Sequence, residues 1–250
     1  MSAGFEAYAA DALLRDGRSI RVRAIRPDDK ERLRGLFRRQ SQETIHYRFF
    51  GAKASLTEDE LRYFTELDFE RHVGLAAVRG SGPEEEFLGV ARYVRCDGDR
   101  AFGAHRAEFA VAVADAEQGH GVGTLLLEQL ARNAQRSGIT AFEADVLGDN
   151  RQMFGMLHAA GFRVQETGPG RVVRVSFPTE ETAAWMGASD ERSWRAAAES
   201  VRGFLCPRSV AVVGASRRPG TIGHALVFNL NQFGFKGPIG LKDFQFQGTR

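Results

Sequence analysis

Between Ala107 and Ala114 the chain alternates with period two: Phe109, Val111 and Val113 share one face, and Glu108, Ala110, Ala112 and Ala114 share the other. That pattern reads as a strand. From Thr124 to Gln135 the period becomes helical, with Leu126, Leu127, Leu130, Ala131 and Ala134 in register, until Ser137-Gly138 ends the helix and Thr140 to Val146 reads as the next strand. The three segments predict one strand, helix, parallel-strand unit. Elsewhere the pattern predicts a first strand over Arg18 to Ala24 and an amphipathic helix over Asp28 to Arg39, whose basic face is expected to be solvated. Thr57-Glu58-Asp59-Glu60 forms a capping box ahead of Leu61, Phe64 and Leu67. Val73 to Val78 and Phe87 to Cys96 read as an antiparallel pair joined by the acidic loop Gly80 to Glu86, taken as a solvated hairpin turn, and Val172 to Phe177 as a last strand.

The join between the alternating strand and the helix is Gln118-Gly119-His120-Gly121-Val122-Gly123. A glycine-rich turn opening a helix aims several backbone N–H groups and the helix dipole at one point, which suits a pyrophosphate. It is not the dinucleotide form of such a turn, because no acidic residue ends the second strand; Asp145 sits inside it. Composition adds limits. A chain of 250 residues with 43% hydrophobic residues can bury a full core in one or two domains, and a net charge of +2 with no basic stripe does not favour nucleic acid. Cys96 and Cys206, far apart and without metal spacing, argue for a reducing interior and against a disulfide framework or a metal. Asp11, Arg15 and Asp16 interrupt the apolar start and no run has the length of a membrane span, so the cytoplasm is the expectation.

Four elements in order, Ile25-Arg26-Pro27-Asp28-Asp29, Glu108, the QxxGxG turn, and Asn150 with Gly161-Phe162, resemble the GNAT superfamily of acyl-CoA-dependent N-acyltransferases over most of residues 19 to 177. The resemblance implies an α/β fold with a mixed, V-shaped, mostly antiparallel sheet flanked by helices, and acetyl-CoA held in the splay between the family's fourth and fifth strands. It also implies roles. Amides of Gly119, His120, Gly121, Val122, Gly123 and Thr124 would cradle the pyrophosphate and Gln118 would shape the turn. Val111, Ala112 and Val113 would lie along the pantetheine arm, with the Ala112 backbone N–H, on a bulged strand, as oxyanion donor; Asn150 would be a further cofactor contact.

Acyl transfer to an amine needs the free base, whereas a lysine ammonium has a reference pKa of about 10.4. Glu108, on its alanine-lined face, is the candidate base, and partial burial there would raise its pKa; the alternative is a salt-bridged strand carboxylate. His158 stands where similar enzymes often place a tyrosine acid, and would either protonate the departing thiolate or lie idle on the helix surface.

After residue 178 the character changes. Two helical segments, the first opening at Thr179-Glu180-Glu181 and the second from Arg192 to Phe204, make 179–205 a linker. The apolar strand Ser209 to Ser216, with Pro219-Gly220-Thr221-Ile222-Gly223 and a helix over Ala225 to Phe233, then resembles the first βα unit of the Rossmann-like CoA-binding domain of nucleoside-diphosphate-forming acyl-CoA synthetases. The expected domains are 1–178, 179–205 and 206–250. The last has 45 residues, which cannot cover both faces of a parallel sheet, and the tail Leu241 to Arg250 does not continue the second strand well. It is therefore expected to be a truncated or frame-altered piece, or to dock on the acyltransferase domain, and CoA binding at Gly214 to Gly223 is not expected. A GNAT domain joined to such a segment resembles the Pat-type protein lysine acetyltransferases. That resemblance implies acetyl transfer to a protein lysine, with acyl-CoA synthetases among the acceptors. A small-molecule N-acetyltransferase and a non-catalytic acyl-CoA-binding subunit are the alternatives.

Overall fold

The computed structural model describes residues 5–96, 105–168 and 170–242. A hairpin of β1 (Ala9–Leu13) and β2 (Ser19–Ala24) is followed by a 3-10 turn, Pro27–Asp29, and the helices α1 (Lys30–Arg38), α2 (Gln42–Phe49) and α3 (Glu58–Thr65). Then come β3 (His72–Arg79), β4 (Glu86–Arg95), β5 (Arg106–Val113), α4 (Val122–Arg136), β6 (Ala141–Leu147), α5 (Arg151–Ala160), β7 (Gln165–Thr167) and β8 (Val172–Pro178). The strands form one sheet in the order β1-β2-β3-β4-β5-β6-β8-β7, in which β5–β6 is the parallel pair. The two strands pair only where Arg106, Ala107 and Glu108 face Ala141, Phe142 and Glu143. Beyond Glu108 they part, and that opening is the V implied by the family resemblance.

The alternation in β5 sorts the two faces as its period requires. Phe109 packs with Leu126, Leu130, Phe142, Phe177 and Trp185 on the α4 side. The opposite face meets Leu33, Leu36, Leu61 and Phe64 from α1 and α3. The capping box closes as expected, with Thr57 Oγ1 accepting from the Glu60 N–H and the Glu60 carboxylate from that of Thr57. The basic face of α1 is less solvated than the sequence suggested. Arg32 and Arg39 reach across to the acidic loop, where Glu85 and Glu86 receive them, and Glu85 also holds the buried Arg23. Arg23 is forked onto the fully buried Asp29 by two 2.7 Å bonds.

Three elements escape the sequence pattern: β1, α2 and the three-residue β7. The segment after residue 178 also differs, since one helix, α6 (Ala183–Leu205), replaces the two expected; no proline breaks it, and Gly187-Ala188-Ser189-Asp190 stay helical. Its first half is not a free linker. Trp185 is buried, its Nε1–H donates to Glu128 of α4 (3.2 Å), and Arg192 pairs with the same carboxylate. The chain divides into two compact units at Ala197–Ala198, inside this helix.

In the second unit β9 (Val210–Val213) and β10 (Ile239–Lys242) pair in parallel, with α7 (Ile222–Gln232) between them. Leu241 and Lys242 therefore do belong to a second strand, because backbone hydrogen bonds set that pairing and tolerate Gly240 and Lys242. The tail from Asp243 to Arg250 lies outside the described residues. Gly223 lets α7 approach β9 closely, since a Cβ there would stand 2.0 Å from the Gly214 carbonyl oxygen. Among the described residues no helix is long and apolar enough to cross a membrane.

Candidate active site

The parting of β5 and β6 opens a cleft of about 570 Å³, walled by β5, the turn into α4, α5, the end of β6 and, from across, α2. Glu108 and Val111, Ala112 and Val113 line it together with Gln118, Gly119, Gly121, Val122, Gly123, Thr124 and Asn150. The glycine turn is built for close approach. Gly121 caps α4 at φ +94°, where a side chain is strained, and a Cβ on Gly123 would stand 2.8 Å from Met156 Sδ. The first intrahelical bond runs from the Leu125 N–H to the Gly121 carbonyl, so the amides of Val122, Gly123 and Thr124 precede the helical ladder. The Gln118 amide nitrogen ties the turn to the Val113 carbonyl and to Thr44 of α2.

His120 turns away: its Nδ1 lies 3.1 Å from the Asp16 carboxylate, and its carbonyl accepts from the Arg15 N–H. Asn150 lines the cleft but also caps α5, its Oδ1 accepting from the Met153 N–H at 3.0 Å. His158 is placed outside the cleft. Gln152, Met153, Gly155, Met156 and Ala159 form the stripe of α5 that faces it, and His158, two residues beyond Met156, falls on the solvent side, 4.0 Å from Glu166.

Three carboxylates line the cleft, and two are occupied. Arg18 and Arg79 hold Glu117, while Arg174 grips Asp145 with bonds of 2.8 and 3.1 Å. Glu108 is exposed, not partly buried as expected, and its carboxylate makes no hydrogen bond or close ion pair with a described residue. Its exposure follows from the splay, which removes the neighbouring strand one residue further on.

The expected Ala112 donor needs correction. The β4–β5 register runs unbroken from Arg95↔Ala107 to Gly89↔Val113, and the expected bulge is absent from it; the sheet's irregularity lies at Ala77/Val78 instead. At the two ends of this ladder the Ala114 N–H donates to Leu88 and the Cys96 N–H to Arg106. Antiparallel alternation between those bonds turns the Ala112 N–H toward β4 and leaves those of Val111 and Val113 facing the splay.

A match to the Acetyltransferase (GNAT) family covers residues 37–162. The chain belongs to that family. It is an acetyltransferase with acetyl-CoA as its cosubstrate. This GNAT enzyme is 39% identical to the crystallised GNAT domain of S. lividans PAT, with a TM-score of 0.62, over 68% of this chain and 96% of that one. It is 30% identical to an acetyltransferase of Pseudomonas aeruginosa over 60% of this chain and 77% of the other. Acetyltransferase Pat of Mycolicibacterium smegmatis is 32% identical over 59% of this chain, which spans 42% of that longer protein. A 40-residue stretch is 48% identical to the alpha subunit of an ADP-forming acetate–CoA ligase of Pyrococcus furiosus, 16% of this chain and 9% of that one.

Several residues of the GNAT cleft were invisible in the sequence pattern. Arg15, in the turn of the β1–β2 hairpin, lies along the glycine turn, its Cγ 3.4 Å from where a Gly121 Cβ would be. Thr44, Tyr47 and Arg48 come from α2, and Phe50 ends that helix at φ +57°, a left-handed conformation uncommon for a bulky residue. One local signal marked α2: Ser41, whose Oγ accepts from the Thr44 N–H as its N-cap.

Proposed function

We propose that this enzyme transfers the acetyl group of acetyl-CoA to the ε-amine of a protein lysine by direct attack in a ternary complex, with Glu108 as the general base. The observation that carries this reading is that Glu108 alone among the carboxylates lining the cleft is held by no side-chain hydrogen bond or close ion pair to a described residue. Its lone pairs are available to an incoming ammonium. Glu108 takes a proton from the amine; the freed nitrogen attacks the thioester carbonyl; the oxyanion accepts from the backbone N–H of Val111, the outward donor nearer Glu108. Collapse expels the CoA thiolate, and the attacking nitrogen gives its remaining extra proton to the thiolate through water; a reference thiol pKa of about 8.5 lets the thiolate leave without a dedicated acid, so His158 has no part. Val113 holds the pantetheine arm, and the amides of Gly119 to Thr124 with Arg15 hold the phosphates.

The protein acceptor is supported by the likeness to the Pat proteins and the PAT domain. The ligase match and the parallel βαβ unit support reading 206–242 as part of a CoA-binding-like segment; acyl-CoA synthetases as acceptors rest on the Pat likeness alone. The test is mass-spectrometric mapping of acetyl-lysine in a deacetylase-free bacterial lysate given acetyl-CoA and the enzyme, with Glu108→Gln as control. Acetylation that depends on Glu108 and concentrates on a few lysines is expected. Turnover on small amines with no such protein signal would replace the protein acceptor with a metabolite.

A further inference from the structure

Behind the cleft, between α1, α2, α3 and the β4–β5 face, lies a second cavity of about 20 Å³. Its walls are mostly apolar, including Leu33, Leu36 and Phe64, and its polar lining residues are Gln40, Arg48 and Arg92. Two of these bring an unanswered donor. Gln40 Nε2 and Arg92 Nη1 are both sealed from solvent and have no hydrogen-bond partner among the described residues. Arg92 is stacked on Phe64 with Cζ 3.6 Å from the ring centroid, and Arg48 lies over Phe49 at 5.2 Å. Burial, reinforced by the charge of Arg48, pushes Arg92 down to about 9. The carboxylate whose field reaches both guanidiniums is Glu108, which lines the main cleft and not this cavity.

The lining therefore offers two guanidinium cations and a primary amide against hydrocarbon. A water molecule could accept from the orphaned donors, but its own hydrogens would meet a mostly apolar lining, and it would leave two guanidiniums opposed only by the outlying Glu108 carboxylate. A monatomic anion needs only donors and cancels charge. The volume of about 20 Å³ exceeds the roughly 10–15 Å³ that one water-sized sphere requires and suits a single small ion.

We infer that this cavity is a binding site for a single halide ion, chloride in the first instance, held by Gln40, Arg48 and Arg92. The ion would tie α2 to the sheet. Because Thr44, Tyr47 and Arg48 of α2 also line the acetyl-CoA cleft, occupancy would steady one wall of the active site.

The test is thermal unfolding of the full chain, prepared without halide, in sodium chloride against sodium gluconate at equal ionic strength, so that general screening is matched. Chloride is expected to give a saturable rise in Tm of about 5–10 °C at a hundred times its dissociation constant, and gluconate none. Arg92→Met should abolish the difference; if that variant fails to fold, Gln40→Leu should weaken it. A crystal soaked in bromide should show an anomalous peak within hydrogen-bonding distance of Gln40 Nε2 and Arg92 Nη1. Coincident chloride and gluconate curves, or a bromide crystal without that peak, would overturn the inference, whatever the acyl acceptor proves to be.

Discussion

Replacing Glu108 by glutamine keeps the size and shape of the side chain and removes its ability to take a proton. Losing a positioned general base costs about 10²–10⁴ in rate, or about 2.7–5.4 kcal/mol of transition-state stabilisation. The structure decides whether a neighbour could make up that loss. Asp145 and Glu117 also line the cleft, but Arg174 holds the first by two bonds, and Arg18 and Arg79 hold the second. A carboxylate committed to a guanidinium is a poor proton acceptor, so neither can stand in, and turnover should fall by at least about 10²-fold. Acetyl-CoA affinity should change less than about twofold, because the turn that opens α4 is untouched. The assay pairs steady-state acetylation with calorimetric titration of acetyl-CoA, and includes Asp145→Asn and Glu117→Gln. A loss below about fivefold, or an equal loss in Asp145→Asn, would refute the reasoning, because the base would then be elsewhere.

Gly121→Val places a branched side chain at φ +94°, where the left-handed conformation costs about 1–2 kcal/mol; the turn should shift and the KM for acetyl-CoA should rise about tenfold with a smaller effect on kcat, as initial rates will show. Asp29→Asn leaves the buried Arg23 with Glu85 as its remaining carboxylate partner, and should cost about 2–4 kcal/mol in urea unfolding, against about 3–5 for a fully broken buried pair. A loss under about 1 kcal/mol would mean that Glu85 alone compensates Arg23. Burial and the nearby Arg92 hold His72 down to about 4, below its ordinary value of 6.5. The unfolded chain therefore takes the proton first, and the stability this neutral imidazole contributes is present above pH 6.5 and lost as pH falls toward 4. His72→Gln should accordingly flatten the acid limb between those limits by about 1–2 kcal/mol, a figure reduced for the partial exposure of the ring; denaturation midpoints across that range measure it.

Local sequence was sufficient wherever a structural signal is itself local. The alternation through β5 assigned Glu108, Ala110 and Ala112 to one face, and the glycine turn announced the open amides of α4. The capping box at Thr57 and Glu60 was equally legible, because its hydrogen bonds join residues three apart. Tertiary structure decided the rest. The weakly patterned α2 becomes a wall of the cleft only because it packs across the sheet, bringing Tyr47 and Arg48 to face residues more than fifty positions away. Whether Ala112 or Val111 offers its N–H depends on the parity of the β4–β5 ladder, which no side-chain period reveals. That the Glu108 carboxylate is left without a hydrogen-bonded partner was hidden for a similar reason: it depends on which arginines reach Glu117 and Asp145 once distant strands have paired. Periodicity determines which way a side chain points, because backbone geometry repeats locally; its partners are set by long-range closure of the chain.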